Sequence, residues 1–215
     1  MAEVDDTQTR GERTRQTILD AAERLFLTNG YHGTSMRQIA HAAGDIAVGG
    51  IYNHFGGKED IFHALLSARS PYPAITAALE EMEATSGPAM LTEAFSQMQL
   101  IIKDNLSFFG LVLIDLQEFE GRTMRELVDQ GVPAVFRYWE RLQAAGGLRD
   151  DMDTFVMIRI FVSVLIGYAL TNLIAFSREG KLLLTAVPDT EHVAWEEAIM
   201  DVLLHGIAES VEAES

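Results

Sequence analysis

The run from Thr34 to Lys58, TSMRQIAHAAGDIAVGGIYNHFGGK, admits few folds. Ser35 followed three residues later by Gln38 is a capping-box start, and Met36, Ile39, Ala40 and Ala43 recur at helical spacing as one apolar stripe. Gly44 stops that helix. The AVGGIYNHF segment after the turn is too short to bury much surface of its own. Its neighbours must hold it through Ile51 and Phe55, four positions apart, while its other face stays free. Val48, Gly49, Gly50, Tyr52, Asn53 and His54 then fall on the free face, with Lys58 just beyond. Tyr, Asn, His and Lys side chains hydrogen-bond phosphates or base edges, and glycine permits close backbone approach. A helix, a glycine turn and a short second helix form the layout of a helix-turn-helix that reads DNA. An ordinary helical hairpin with a polar surface has the same outline.

The wider pattern is more specific. Ile18, Ala21, Ala22, Leu25, Phe26, Gly30, Thr34, Ser35, Ile39, Ala40, Gly44, Gly49, Ile51, Tyr52, His54, Phe55, Lys58 and Glu59 together resemble the N-terminal signature of the tetracycline-repressor (TetR) family of bacterial regulators. The resemblance covers the first third of the chain; the remainder is similar in helical organisation only. It implies an all-α fold, with a three-helix helix-turn-helix DNA-binding domain over residues 1–57 and a larger helical effector-binding and dimerisation domain over 58–215. Together with the local pattern it implies double-stranded DNA contact by Ser35, Arg37, Gln38, Val48, Gly49, Gly50, Tyr52, Asn53, His54 and Lys58, with Tyr52, His54 and Lys58 on phosphates. One residue more than the family's usual spacing separates Gly44 from the Ile51-Tyr52 pair, so the turn is enlarged. Asp45 in that turn would repel phosphate unless it caps the next helix from its N-terminal side.

Charge needs dividing by position. The whole chain of 215 residues is at −16, yet from Arg10 to Lys58 six Lys or Arg face four acids, so this stretch is at +2. A mildly basic end on an acidic body would orient the molecule towards DNA by that end, although acidity also serves solubility. With no cysteine, disulfides and thiolate metal sites are excluded. The opening MAEVDDTQTRGER has no apolar signal-peptide core, and a cytoplasmic location is expected.

Residues 1 to about 10 lack periodicity and are expected to fray. A supporting helix comes next over 11–29, stopped by Gly30, and Arg10, Arg13 and Arg15 at its start either reach phosphate or are merely solvated. Lys58-Glu59-Asp60 opens another helix with Ile61, Phe62, Leu65 and Leu66 on its apolar face. Pro71-Tyr72-Pro73 breaks it, as a hinge or as a simple loop, before a segment from Ala74 to about Ala84. Further helices are expected from Gly87-Pro88, through NLSFFGLVLIDLQEFEG, from Arg122 with a bend at Gly131-Val132-Pro133, over 155–176 and, after a loop at 181–188, from Thr190.

Aromatic and Met side chains in the middle helices either pack a core or line a cavity for a small apolar ligand. The resemblance implies an effector cavity, with Phe95, Met98, Phe109, Asp115, Phe119, Phe136, Trp139 and Arg159 as its expected lining. Asp115 in LVLIDL needs a partner if buried, and Arg159 in MIRIF is the candidate, as a structural ion pair or as a ligand-sensing charge. The 155–176 run is long enough to span a bilayer, but Arg159, Ser163, Thr171 and Asn172 interrupt it. It is expected to be a core helix that also meets a partner subunit, not a membrane span. The resemblance implies a homodimer through the last two long helices, here through Ile166, Leu170, Ile199, Leu203 and Ile207. No P-loop, Gly-rich dinucleotide turn, GxSxG or metal-ligand spacing occurs, so neither an enzyme nor a cofactor is expected. The alternatives are a regulator without an effector and, from another class, a helical enzyme or membrane-surface protein.

Overall fold

The computed structural model describes residues 9–83, 86–148, 151, 153–175 and 192–207. The expectations for the N-terminal residues and for the 181–188 loop lie outside them. All ten regular elements among the described residues are α-helices: α1 (Arg10–Asn29), α2 (Met36–Ala42), α3 (Val48–Ile51), α4 (Lys58–Ala68), α5 (Tyr72–Glu81), α6 (Gly87–Asp104), α7 (Leu106–Glu118), α8 (Arg122–Ala144), α9 (Thr154–Ala175) and α10 (His192–Ile207). They form two compact units, and the division ignores sequence order. The first contains residues 1–70 together with 110–126; the second contains 71–109 and 127–215. Helix α4, which begins right after the boundary expected at residue 57, packs on α1 inside the first unit, whose first stretch runs on to residue 70.

The first unit is built from well-signalled helices. Thr9 and Glu12 form a capping box on α1, Ser35 and Gln38 one on α2, and Gly30 ends α1 at φ +74° with its N–H on the Phe26 carbonyl. Ile18, Leu19, Ala21, Ala22 and Phe26 of α1 are buried with Ile39 and Ala40 of α2 and Ile61, Phe62, Leu65 and Leu66 of α4. The corner between α7 and α8 completes this core. Phe119 stacks on Phe62 at 5.1 Å and meets Tyr31 edge-on at 4.9 Å. A Cβ on Gly110 would come within 2.8 Å of Leu27 Cδ2, so this start of the corner segment lies close against α1.

Asp115 sets the corner. It is wholly buried, and its Oδ2 accepts the Met124 N–H at 3.0 Å, while its carbonyl accepts the N–H groups of Phe119 and Gly121. Met124 is the third residue of α8, whose N-terminus follows a glycine with no capping side chain. Asp115 therefore caps α8 from the preceding helix, an anion at the positive end of a helix dipole. This replaces the expected pairing with Arg159, which stands exposed on α9.

In the second unit α5 begins with Pro71 and Pro73 around Tyr72, where proline's fixed φ suits a first turn, so it starts two residues before the expected Ala74. Its Tyr72 ring lies directly on the α8 backbone, because a Cβ on Gly131 would come within 2.6 Å of Tyr72 Cδ1. Leu91, Ala94, Phe95 and Met98 of α6 form the core with Tyr138, Trp139 and Leu142 of α8, Met157 and Phe161 of α9, and Met200 and Leu203 of α10. The Tyr138 hydroxyl donates to the Met90 carbonyl at 2.7 Å, and Arg137 pairs with Glu80 at 2.8 Å. Helix α9 is long and apolar enough to cross a bilayer. It buries Met157, Phe161, Tyr168, Ala169 and Asn172 in the unit and leaves Phe155, Val156, Val162, Ile166 and Ile174 exposed on other faces.

Candidate nucleic-acid interface

Helix α2 packs on α1 and the four-residue α3 packs on α2, with Ile51 and, just beyond the helix, Phe55 buried as the i, i+4 spacing requires. Tyr52, 55% exposed, and Asn53 stand free next to them, with Val48 and His54 half-buried. Nothing lies within 4 Å of where a Cβ would sit on Gly49 or Gly50, so the α3 backbone there is open to close approach. Arg37 is exposed on α2. Ser35 and Gln38 are spent on each other: Gln38 Oε1 accepts from the Ser35 N–H and hydroxyl at 2.8 Å each. That leaves their remaining polar atoms for any outside contact.

The enlarged turn is absorbed by two successive residues at positive φ, Gly44 at +95° and Asp45 at +56°. The Ile46 N–H then reaches back to the Ala40 carbonyl at 3.1 Å, closing the end of α2. Asp45 does not cap the next helix, whose N-cap is Ala47 with no side-chain bond. Its carboxylate pairs instead with His41 Nδ1, one turn back. An Asp tolerates this left-handed conformation better than most residues, which is what the inserted position asks of it.

The acids of the basic stretch are all engaged. Glu12 accepts from the Thr9 N–H, first, and the Thr9 hydroxyl, and these bonds hold its carboxyl below its ordinary pKa. Asp20 and Glu23 grip Arg69, whose charge is favoured by those carboxylates against the burial that opposes it. Asp45 faces His41. Of the cations, Arg15 lies over the Phe55 ring at 5.0 Å and Arg24 reaches the Ala42 carbonyl at 3.4 Å. Arg10, Arg13 and Arg37 have no side-chain partner among the described residues. Lys58 is differently employed from the expected phosphate contact. Its ammonium donates to the carbonyls of Tyr31 at 2.8 Å and Thr34 at 2.9 Å and lies 4.1 Å from the centre of the Tyr31 ring. It ties the α1–α2 loop to the start of α4.

The expected effector lining is divided between the two units and, within the second, among separate clusters. Phe95, Met98 and Trp139 share the core of the second unit, and Phe109 packs on a smaller cluster of Ile102, Tyr168 and Ala169. Asp115 and Phe119 belong to the first unit. Phe136 meets Phe155 edge-on at 5.3 Å, and Arg159 lines a shallow open groove on α9 with Val156, Ile160, Ser163 and Val164. Sequence reading missed Gln99, a polar residue at a buried position of the α6 stripe between Phe95 and Ile102. Of the expected dimer residues, Ile166 is exposed, Leu170 and Ile199 are half-buried, and the Ile207 side chain lies outside the described residues. Leu203, at 5% exposure, is part of its own chain's core, while the adjacent Val202 is 72% exposed.

Residues 18–65 match the family model described as bacterial regulatory proteins, tetR family. The transcriptional regulator UidR of Escherichia coli (strain K12) is 38% identical over 63 residues, 29% of this chain and 32% of its own length. AcrR of Shigella flexneri is 48% identical over 56 residues, 26% of each chain. The chain thus matches about a third or less of the length of these curated relatives. Among solved structures, Salmonella enterica GusR shares the fold at 19% identity with a TM-score of 0.68, covering 93% of this chain and 98% of that one. NalD of Pseudomonas aeruginosa, the secondary repressor of the MexAB-OprM multidrug efflux pump, is 25% identical with a TM-score of 0.64, covering 93% of this chain and 99% of its own. With a helix-turn-helix of this build and the same helical fold behind it, the chain carries over residues 18–65 the DNA-binding segment of the tetR family of bacterial regulatory proteins.

Proposed function

We propose that the chain is a DNA-binding transcriptional regulator of the bacterial cytoplasm, acting as a repressor, that grips a pseudo-palindromic operator as a homodimer and leaves it when a small effector binds. The observation that carries this reading is the division of labour in α3. Ile51 and Phe55 fix it from inside while Tyr52, Asn53 and the bare backbone of Gly49 and Gly50 face out. Every acid between Arg10 and Lys58 is already occupied, which leaves Arg10, Arg13 and Arg37 to meet phosphate. The dimer is supported by the apolar outer surface of α9, Phe155, Val162, Ile166 and Ile174, which a folded monomer would leave wet. Two heads on a two-fold axis bind far more tightly than one.

The test is a titration of the protein onto the DNA upstream of its own gene and onto a shuffled duplex, repeated over a range of salt. A preference for the upstream duplex that is lost when its inverted repeat is scrambled supports the reading. Equal affinity for both duplexes at every salt concentration sinks it.

A further inference from the structure

The core of the second unit carries two donors that the fold does not use. Gln99 is 5% exposed and Trp139 is 3% exposed, and neither Gln99 Nε2 nor Trp139 Nε1 has a hydrogen-bond partner among the described residues. The same unit satisfies its other deep donors: the Tyr138 hydroxyl goes to the Met90 carbonyl at 2.7 Å and Asn172 Nδ2 to the Tyr168 carbonyl at 2.8 Å. Buried donors left unpaired are rare and costly, so each demands a reason. Phe95, Met98, Met157 and Phe161 belong to the same buried cluster as Trp139, flat rings and pliable thioethers that can part around an inserted molecule, and Gln99 stands one helical turn from Phe95 on α6. No Lys, Arg or His of this unit is buried among the described residues, so nothing there would balance a ligand's negative charge.

We propose that this core around Gln99 and Trp139 is the effector site, and that it takes a neutral aromatic molecule bearing hydrogen-bond acceptor oxygens, one for the Gln99 amide and one for the Trp139 indole. The inference rests on the effector-responsive reading above and narrows it: a plain hydrocarbon leaves both donors unpaired, and a carboxylate meets no cation. Gln99 and Trp139 are specificity residues, retained although a wholly apolar pair would fold more readily.

Three probes of similar ring content separate the possibilities: benzil, with two carbonyls; 1,2-diphenylethane, with none; and diphenylacetate, an anion. Benzil is expected to raise the melting temperature and quench tryptophan emission, with the hydrocarbon and the anion each weaker by about tenfold or more. Gln99→Met and Trp139→Phe should each lower benzil affinity by about tenfold, leave the hydrocarbon's affinity unchanged, and melt no lower than the parent when no ligand is present. Benzil that fails to bind, binds no better than the hydrocarbon, or binds both variants as it binds the parent overturns the proposal. So do variants that both melt well below the parent, because the donors would then have partners of their own. Operator binding is measured on the same samples. A parent that holds its upstream DNA but ignores benzil overturns the pocket alone, and one that takes benzil but not DNA overturns the operator reading alone.

Discussion

Lys58 and Tyr31 touch twice: the ammonium donates to the Tyr31 carbonyl at 2.8 Å and lies 4.1 Å from the centre of the same residue's ring. Burial lowers the Lys58 pKa, partly offset by the charge of Glu118, as expected for a cation drawn out of water to serve a structural bond. Lys58→Met should therefore cost about 1.5–3 kcal/mol of stability, the range for hydrogen bonds to a charged group. Its effect on DNA affinity should follow from a loosened head, with the salt slope unchanged. A slope smaller by about one, with stability intact, would place the ammonium on a phosphate instead.

The exposed arginines should behave oppositely. Arg10→Ala, Arg13→Ala and Arg37→Ala should each leave the melting temperature within a degree or two of the parent, as surface changes do. Each that touches phosphate should reduce the slope of log affinity against log salt by about 0.9 and weaken specific and shuffled duplexes alike. Loss on the upstream duplex alone would mean that the residue reads a base.

Asp115 separates capping from charge. Asp115→Asn keeps an oxygen for the Met124 N–H and should melt close to the parent. Asp115→Ala strands that N–H at the start of α8 and should cost about 1–2 kcal/mol, the usual worth of an N-cap. If both variants fall equally in chemical denaturation, the ionised carboxylate itself is holding something.

The dimer has a cleaner probe than Leu203. Ile166→Arg alters a side chain that is exposed in the single chain and should give folded monomers by sedimentation, whereas Leu203→Arg puts a charge into the core and should unfold the second unit. A dimer that survives Ile166→Arg would move the interface off this part of α9.

Alkaline stability should fall on Tyr138. Burial, then the nearby charge of Glu93, raises its pKa far above the ordinary 10.0, with Arg141 pulling weakly the other way. A folded pKa above the unfolded one means that the hydroxyl's contribution is complete below the unfolded pKa and is lost as pH rises past it. Denaturation midpoints of the parent should drop more steeply between about pH 9 and 11 than those of Tyr138→Phe, with a residual slope from the smaller shifts of Tyr31 and Tyr72. Parallel profiles would remove Tyr138 from the account.

The parts of the fold legible in the sequence were those written locally. The Ser35–Gln38 box, the stops at Gly30 and Gly44, the break at Pro71 and the Ile51–Phe55 anchors each depend on residues a turn apart, and the helices lie where these signals put them. The parts that escaped depend on distance or on a helix apolar all round. The partners of Lys58 are carbonyls 24 and 27 residues upstream, and the partner of Asp115 lies across a turn nine residues on. In α10, Val202 and Leu203 are both aliphatic neighbours, and periodicity has little with which to say which one faces inward. Gln99 carried the one available signal, an amide where the stripe calls for a hydrocarbon.

The seating of Phe119 against Tyr31 and Phe62 bears on how the protein is made. A chain emerging from the ribosome has all of α1 to α4 by residue 70, yet the unit they belong to closes only when the segment through residue 126 arrives. Until then the faces of Tyr31 and Phe62 that Phe119 covers have no native cover, and the nascent head presents a sticky aromatic surface to chaperones or to other chains. A fragment cut at residue 70 keeps that surface for good. It should be recovered less soluble than one that also carries, on a short linker, the stretch from Gly110 to Glu126.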